Sequence, residues 1–222
     1  MRRKLKRGGA AVEFALSLIV LIPLLLGVVG LGLSLLRQML TVQLARDAGS
    51  MSARKIDFTA SGNQQILSQI AGSLSLTAGS GTGGTAGSGN SVVILSTMEY
   101  VSASVCGQAT PALAADTTHC PNLGSWVFAK RIVVGNSTLA YSSLGTPPST
   151  IIASDGTISI NNQCLTKADQ VNSSNPWTNP NIPAADLAVL QTQPIYVSEA
   201  VASGFQMPPF SRGTLTYAQL YF

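Results

Sequence analysis

Glu13 is the residue near the N-terminus whose chemistry most needs a structural explanation. It follows a basic cluster and the glycine pair Gly8 and Gly9, and it stands at the start of an apolar run of membrane length. A carboxylate at the centre of a membrane helix costs about 2.5–3.5 kcal/mol on insertion scales, and less near a helix end. Glu13 therefore calls for a cationic partner.

A second interpretation of Glu13 requires no partner. An acid in the first turn of a helix is favoured by the helix dipole by about 0.3–1 kcal/mol. The two interpretations are compatible if they apply at different stages, and the residues alone leave both open.

The segment that follows Glu13 is predicted to span a membrane. Residues 15–36 form 22 consecutive positions without a charge, and about 20 apolar residues cross the hydrocarbon core as a helix. The run is longer than the apolar core of a cleaved secretory signal, and no small-residue cleavage site follows it. Five of the 13 basic residues precede it: Arg2, Arg3, Lys4, Lys6 and Arg7. This bias places the N-terminus in the cytoplasm and the rest of the chain beyond the membrane.

The charge distribution argues against nucleic-acid binding. The formal net charge is +4, but beyond Arg7 eight Lys and Arg residues face nine Asp and Glu residues. No basic stripe of the kind that phosphate binding needs is left in this nearly neutral remainder.

The stretch RGGAAVEF, residues 7–14, carries the most specific motif in the chain. It resembles the class III signal peptide of the type IV pilin superfamily, in which a basic leader and a Gly precede the cut and a Glu is the fifth residue after it. Phe14 takes the neighbouring aromatic position. Over residues 2 to about 55 the chain is similar to TadE-like proteins, the minor pilins (pseudopilins) of tight-adherence, or Flp, pilus systems. Pro23 matches a central proline of that family, and residues 44–49 match its second segment, with Asp in place of the usual Glu.

This resemblance implies a role in pilus assembly, with neither catalysis nor a cofactor. A prepilin peptidase would cut between Gly8 and Gly9, and Glu13 with Phe14 would contact another subunit in the filament. The implied partners are that peptidase, other pilin subunits, the assembly platform and membrane lipid. The implied location is the bacterial inner membrane, crossed once with the C-terminal domain in the periplasm, and an extracellular pilus after assembly. Two alternatives stay open: an uncleaved, signal-anchored periplasmic binding domain and a membrane-anchored hydrolase.

The sequence predicts an α+β chain of pilin-like plan, with a long N-terminal helix and a mostly β head. We expect a basic leader over residues 1–8, a transmembrane helix and stalk over 9–57, a short helix and Gly/Ser/Thr linker over 58–90, and the head over 91–222. Pro23 is expected to kink the membrane helix. An apolar stripe continues this helix beyond the membrane: Leu36, Met39, Leu40, Leu44, Ala48 and Met51.

The second helix is predicted to start with Asn63 as its cap. Its apolar face would comprise Ile66, Leu67, Ile70 and Leu74. The linker contains Gly79, Gly81 and Gly84 at G-x-G-x-x-G spacing, but no strand precedes them, so we expect no nucleotide site there.

Strand signals dominate the head. Residues 91–105 and 125–135 are rich in β-branched and aromatic residues and are predicted to pair as neighbouring strands. By alternation, the second of these would present Trp126, Phe128, Ile132 and Val134 on one face. Asp155-Gly156 predicts a type I′ hairpin turn. Further strands are expected near residues 193–201 and 214–222, with a short helix over 184–191.

Three cysteines, all in the head, offer three possible disulfides. Cys106 with Cys120 is the most local pair and closes a loop of about 15 residues, worth roughly 3 kcal/mol on the chain-entropy model. We favour this pair, although connectivity is not determined by sequence. Cys164 would then be a small buried apolar residue.

Few head residues have the spacing of a catalytic or metal site. His119 is the single histidine, which argues against a multi-histidine metal site, and no G-x-S-x-G elbow accompanies it. The acids are scattered along the chain, including Glu99, Asp116, Asp155, Asp169, Asp186 and Glu199. Trp177, Phe205 and Phe210 could form an adhesive surface, but core packing is the simpler interpretation. We therefore expect neither an enzyme nor a metal protein.

Overall fold

The computed structural model describes residues 7–78, 89–171, 189–204 and 215–222. Several features predicted from the sequence fall outside these ranges: most of the basic leader, the G-x-G-x-x-G glycines, Trp177, Phe205, Phe210 and most of the helix expected over 184–191. The account below concerns the described residues.

A single long helix, α1 (Arg7–Ala53), forms the N-terminal part of the protein and has 47 residues. It runs unbroken through Pro23 and Gly49, so neither residue ends it. Residues 12–53 are long and apolar enough to cross a membrane. The helix ends before the expected Asp57, because Lys55 adopts a left-handed φ of 62° and the Ile56 amide donates back to the Met51 carbonyl at 3.1 Å, the hydrogen bonding of a Schellman cap.

The head is built on a four-stranded antiparallel sheet, which confirms the α+β prediction. Its strands are β1 (Ser91–Tyr100), β2 (Trp126–Gly135), β3 (Ile195–Ser203) and β4 (Leu215–Tyr221). Their order across the sheet is β2-β1-β3-β4. All four predicted strand regions are found, although the first is shorter than expected.

Short α-helices among the described residues include α2 (Ser61–Ile70), α3 (Ala103–Gln108) and α4 (Ile160–Leu165). Helix α3 takes up the end of the segment predicted as the first strand. Its residues include Cys106, which is fully buried. The sequence analysis had placed neither α3 nor α4.

The C-terminal third of α1 packs on one face of the sheet. Leu44, Ala45 and Ala48 are buried there in a core with strand residues. The strand side chains in this core are Val93, Leu95, Ile132, Val134, Ala200, Ala202 and Ala218. Small side chains on both elements let the helix come close to the sheet, so this part of α1 belongs to the head.

A β-bulge corrects the predicted face of β2. Thr97 of β1 pairs with Lys130, and the next residue, Met98, pairs with Phe128, so Ala129 is an extra residue in β2. Because side chains alternate along a strand, one extra residue reverses the faces beyond it. Ile132 and Val134 therefore join the core beneath α1, whereas Trp126 and Phe128 join a second core containing Met98, Leu144, Ile158, Val171, Ile195 and Val197.

The predicted cap and apolar face of the second helix are also corrected. Helix α2 begins at Ser61 after Ala60, which makes no side-chain cap bond. Asn63 lies inside the helix, where its amide donates to the Asp57 carbonyl at 2.6 Å. The helix stops at Ile70, before Leu74, so the expected face divides: Leu67 and Leu74 are buried, whereas Ile66 and Ile70 are exposed.

Two further corrections concern the stalk and the hairpin. In the predicted stripe of α1, Leu36 and Met39 are exposed, since the sheet covers the helix only beyond them. At the predicted turn, Gly156 has φ 80° but Asp155 does not take a positive φ, so the turn is not type I′. It is closed by an Ile152–Ile158 bridge outside the named strands.

Candidate functional site

The exposed part of α1 is the first candidate site. From Val12 to Met39 most large apolar side chains face away from the protein, with Phe14 66% exposed and Leu31 69% exposed. A single surface residue of this kind needs no explanation, but a continuous apolar helix does. Lipid or other protein chains must bury this surface to remove it from water.

Glu13 lies at the start of this apolar surface and is exposed. The Ser17 hydroxyl donates to the backbone carbonyl of Glu13 at 2.9 Å and leaves the carboxylate untouched. Among the described side chains, which begin at Val12, no donor or cation contacts this carboxylate. Its charge is therefore available to a group outside the described chain.

Gly8 and Gly9 lie in the first turn of α1, immediately after Arg7. Glycine costs about 1 kcal/mol relative to alanine in a helix interior, and first turns fray. The bond between Gly8 and Gly9 therefore lies in a segment of low helix propensity.

Polar contacts from Arg37 and Thr41 hold α1 against the head at the point where its packed segment begins. The Arg37 guanidinium donates to the Ser203 carbonyl at 2.8 Å. One turn later the Thr41 hydroxyl lies 3.0 Å from that of Thr216. These bonds lie where the exposed apolar segment meets the packed segment, and they fix the direction of α1 relative to the sheet.

A buried charged cluster lies on the sheet face opposite α1. Glu199 of β3 has no solvent exposure, and its carboxylate accepts hydrogen bonds from the Ser142 hydroxyl at 2.6 Å, the Ser143 amide at 3.1 Å and the Tyr217 hydroxyl. The Arg131 guanidinium donates to the Gly145 carbonyl at 3.2 Å, and its charge interacts with that of Glu199. The cluster fastens residues 142–145 to the sheet, which is a structural role.

This cluster was not predicted from the sequence, because the acids are scattered along the chain. One signal was available: Glu199 is the single charged residue in an otherwise apolar and small-residue strand. A charge at such a position is rarely buried without a partner.

The three cysteines meet in a small apolar core. Cys106 and Cys120, the pair favoured from the sequence, form a disulfide. Cys164 is a free, buried thiol, and all three sulfur atoms lie within 4.8 Å of one another. The sequence placed Cys164 in an apolar environment but gave no sign that it lies beside the disulfide.

His119 and Asp116 form an exposed pair in the loop closed by the disulfide. The His119 Nδ1 lies 2.9 Å from Asp116 Oδ2. Hydrogen bonds from the backbone and ring of His119 lower the pKa of the Asp116 carboxyl. No serine hydroxyl contacts His119 within the described ranges, so the geometry supplies no catalytic triad there.

Asp169 is the acid with the most unusual environment. Its side chain has no exposure, and neither carboxylate oxygen has a hydrogen-bond partner in the described structure. Burial raises the pKa of the Asp169 carboxyl from 3.8 to about 8. The group is therefore protonated at neutral pH, which lowers the cost of burying it.

Two adjoining clefts open beside Glu99, which is half-buried. One has a volume of about 360 Å³ and includes Lys130 and Tyr196; the other has a volume of about 580 Å³ and includes Tyr100 and Gln108. Both are lined in part by Glu99 and Pro194. Hydroxyl, amide and aromatic groups surround this double cleft.

The comparison with known families concerns the helix alone. Residues 8–50 match the family model of TadE-like proteins. This match confirms the resemblance seen in the N-terminal sequence. It covers the Gly8–Gly9 bond, Glu13, Phe14 and Pro23, and it ends within the part of α1 that packs on the head.

No curated protein and no solved structure matches the chain. The similarity to TadE-like proteins is limited to residues 8–50. The sheet of the head lies outside the matched residues, so any statement about its function depends on its own geometry.

Proposed function

We propose that this protein is a minor pilin, or pseudopilin, that takes part in the assembly of a Flp-type adhesive pilus. The precursor is held in the bacterial inner membrane by α1, with its N-terminus in the cytoplasm and its head in the periplasm. A prepilin peptidase removes residues 1–8, and the mature subunit then enters or primes the filament. The proposal rests on the TadE-like match at residues 8–50 and on the exposed apolar helix that begins beside Glu13.

The observation that carries this proposal is the exposed Glu13 carboxylate, which no described side chain contacts, at the start of a membrane-length apolar helix. Such a charge is costly in hydrocarbon unless a cation neutralises it. Cleavage after Gly8 produces an α-ammonium on Gly9, four residues before Glu13 and therefore about 6 Å away along the helix axis. In a filament, the Gly9 ammonium of one subunit neutralises the Glu13 carboxylate of its neighbour. Cleavage must therefore precede assembly.

The first experiment measures the intact mass of the protein purified from its native host. Removal of residues 1–8 is expected in the membrane and in sheared pili. A mature protein that retains its initiator methionine while pili form normally would contradict the proposal.

The second experiment compares Glu13→Gln with Glu13→Asp. Glutamine removes the charge at nearly constant volume, whereas aspartate keeps it. We expect both variants to insert in the membrane and to be cleaved, and we expect glutamine to lower recovery in sheared pili at least tenfold. Normal incorporation of Glu13→Gln would leave only the helix-dipole role for this residue.

A second candidate function is the binding of an envelope ligand by an uncleaved, membrane-anchored head. The double cleft at Glu99 favours it, because an acid and two tyrosines are surrounded there by hydroxyl and amide groups. Soluble peptidoglycan fragments provide the probe. Binding that is lost in Glu99→Gln, in a chain that keeps residues 1–8, would favour this function over pilus assembly.

A further inference from the structure

The cysteine cluster is held in place by hydrogen bonds that connect chain segments distant in sequence. Asn122 lies two residues beyond Cys120, and its backbone amide donates to the Cys164 carbonyl at 3.2 Å. Its side-chain amide donates to the Gln163 carbonyl at 2.6 Å. These bonds join the disulfide loop to α4, so the thiol of Cys164 is positioned beside the disulfide by the fold.

The surroundings of the three sulfur atoms are apolar and closed to solvent. Cys106, Cys120 and Cys164 are each fully buried. The core around them contains Val101, Ala109 and Val127, with Val105, Leu113, Leu123 and Ile160 packed against it. The Cys164 sulfur lies 3.8 Å from the Val105 carbonyl oxygen. A soluble thiol such as glutathione has no path to these atoms in the folded head, so each sulfur has the other two as its available reaction partners.

We propose that the three cysteines form an internal thiol–disulfide exchange site, in which Cys164 exchanges with either partner of the Cys106–Cys120 disulfide. The Cys164 thiolate attacks one sulfur of the disulfide. A new bond forms from Cys164 to that sulfur, the old bond breaks, and its electron pair leaves with the other sulfur as a thiolate that takes up the proton. One thiol and one disulfide are present before and after, so no oxidant or reductant is consumed.

This site explains why a third cysteine lies against a completed disulfide. Oxidation of the head can join any two of the three thiols first. Because the sulfur atoms lie within 4.8 Å of one another, a wrongly joined pair rearranges inside the folded core until the most stable pairing dominates. The inference concerns the head and is independent of the proposed role of Glu13.

The first test removes one cysteine at a time from the full chain in detergent. Each variant is reduced in urea and refolded in detergent with oxidised glutathione, so that the thiols meet the oxidant before they are buried. Cys106→Ser is then expected to contain a Cys120–Cys164 disulfide and Cys120→Ser a Cys106–Cys164 disulfide, both within one chain. Cys164→Ser is the matched control and should keep the Cys106–Cys120 bond. Folded variants whose two cysteines stay free, join separate chains or bind glutathione would overturn the proposal.

The second test uses the natural sequence, so it does not depend on a variant folding. The protein is reduced in urea, diluted into detergent with oxidised glutathione, freed of oxidant after a short time and then sampled by acid quenching. Peptide mapping should show all three pairings early and their conversion to Cys106–Cys120 after the oxidant is gone. Early wrong pairs that persist unchanged, or the appearance of Cys106–Cys120 alone at every time, would overturn the proposal.

Discussion

The two parts of α1 differ in what covers them, although they form one uninterrupted helix. The lower part, residues 12–39, exposes its apolar side chains, whereas the upper part, residues 40–53, buries Leu44, Ala45 and Ala48 against the sheet. The upper part contributes to the stability of the head within one chain. The lower part gains from burial only when lipid or another subunit supplies the surface. Hydrophobicity alone therefore does not distinguish the two parts.

Two glutamates show the same contrast. Glu13 is exposed, and within the described residues its carboxylate has no partner. Glu199 is fully buried and has its hydrogen-bond donors inside its own head. The fold supplies the hydrogen-bond donors of Glu199, whereas we propose that the cation that neutralises Glu13 comes from another subunit. The following predictions test this difference, beginning with the largest effect.

Alanine substitution should separate the two glutamates most strongly. Glu199→Ala removes the carboxylate that accepts hydrogen bonds from Ser142, Ser143 and Tyr217. A buried donor left without its acceptor costs about 1–3 kcal/mol, so we expect a loss of about 3–5 kcal/mol for the three together. Glu13→Ala should change the free energy of unfolding of the head by less than about 0.5 kcal/mol, the usual limit for exposed positions. Chemical denaturation of the full chain in detergent, followed by the fluorescence of the head tryptophans, measures both. Equal effects of the two substitutions on the free energy of unfolding would contradict the difference in burial between Glu13 and Glu199.

A matched leucine pair tests the two parts of α1 directly. Leu44 is 2% exposed and Leu31 is 69% exposed, on the same helix. Leu44→Ala should destabilise the head by about 2–5 kcal/mol, as buried Leu→Ala changes do. Leu31→Ala should leave the unfolding midpoint of the head nearly unchanged. If the two substitutions lower the free energy of unfolding equally, the lower part of α1 must also pack against the head.

Asp169 predicts a pH dependence of stability that belongs to the head. The pKa of its carboxyl is raised from 3.8 to about 8 in the folded protein, so the unfolded chain loses the proton first as pH rises. The destabilising contribution is absent below pH 3.8, grows between pH 3.8 and 8, and is constant above.

Asp169→Asn removes this titration. The variant should match the natural protein near pH 3.5 and exceed it in the free energy of unfolding at pH 8.5, by at least about 2 kcal/mol. Urea denaturation at several pH values measures the difference. Asp155→Asn is the control, since its acid is exposed, and it should show no such gain. A constant difference between Asp169→Asn and the natural protein across this range would count against a buried, protonated Asp169.

The smallest predicted effect concerns the contact of α1 with the chain end. A Cβ atom added at Gly49 would overlap the Phe222 ring, so the ring must move in Gly49→Ala. We expect Gly49→Ala to lower the free energy of unfolding by about 1 kcal/mol. This is the net effect, because the higher helix propensity of alanine offsets part of the cost of moving the ring. In the Phe222→Ala background the same change should become neutral or stabilising. A double-mutant cycle of thermal unfolding measures this coupling, and additive effects would show that the ring does not restrict position 49.

The elements of the head were predictable to the extent that they depend on local pattern. The β-branched runs identified the four strand regions, because such side chains suit a pleated, half-buried surface. The faces of β2 were not predictable from alternation, since the extra residue Ala129 reverses them. A bulge is a property of two paired strands and leaves little trace in one of them.

The candidate sites also differ in whether they were predictable from local sequence. Gly8, Gly9 and Glu13 were found from their spacing, because the motif is contiguous in sequence. The partners of Glu199 come from segments up to 57 residues away along the chain, and no local pattern connects them. The position of Cys164 beside the disulfide was missed for the same reason.

By itself, the sequence determined that a long apolar helix precedes a β-rich head, since uninterrupted hydrophobic length and strand-forming composition are local properties. The tertiary structure alone decided where the packed part of α1 begins, which carboxylates are buried and which three sulfur atoms meet. These outcomes depend on contacts between distant segments. Such contacts follow from strand register and close packing, which the order of residues along one segment does not reveal.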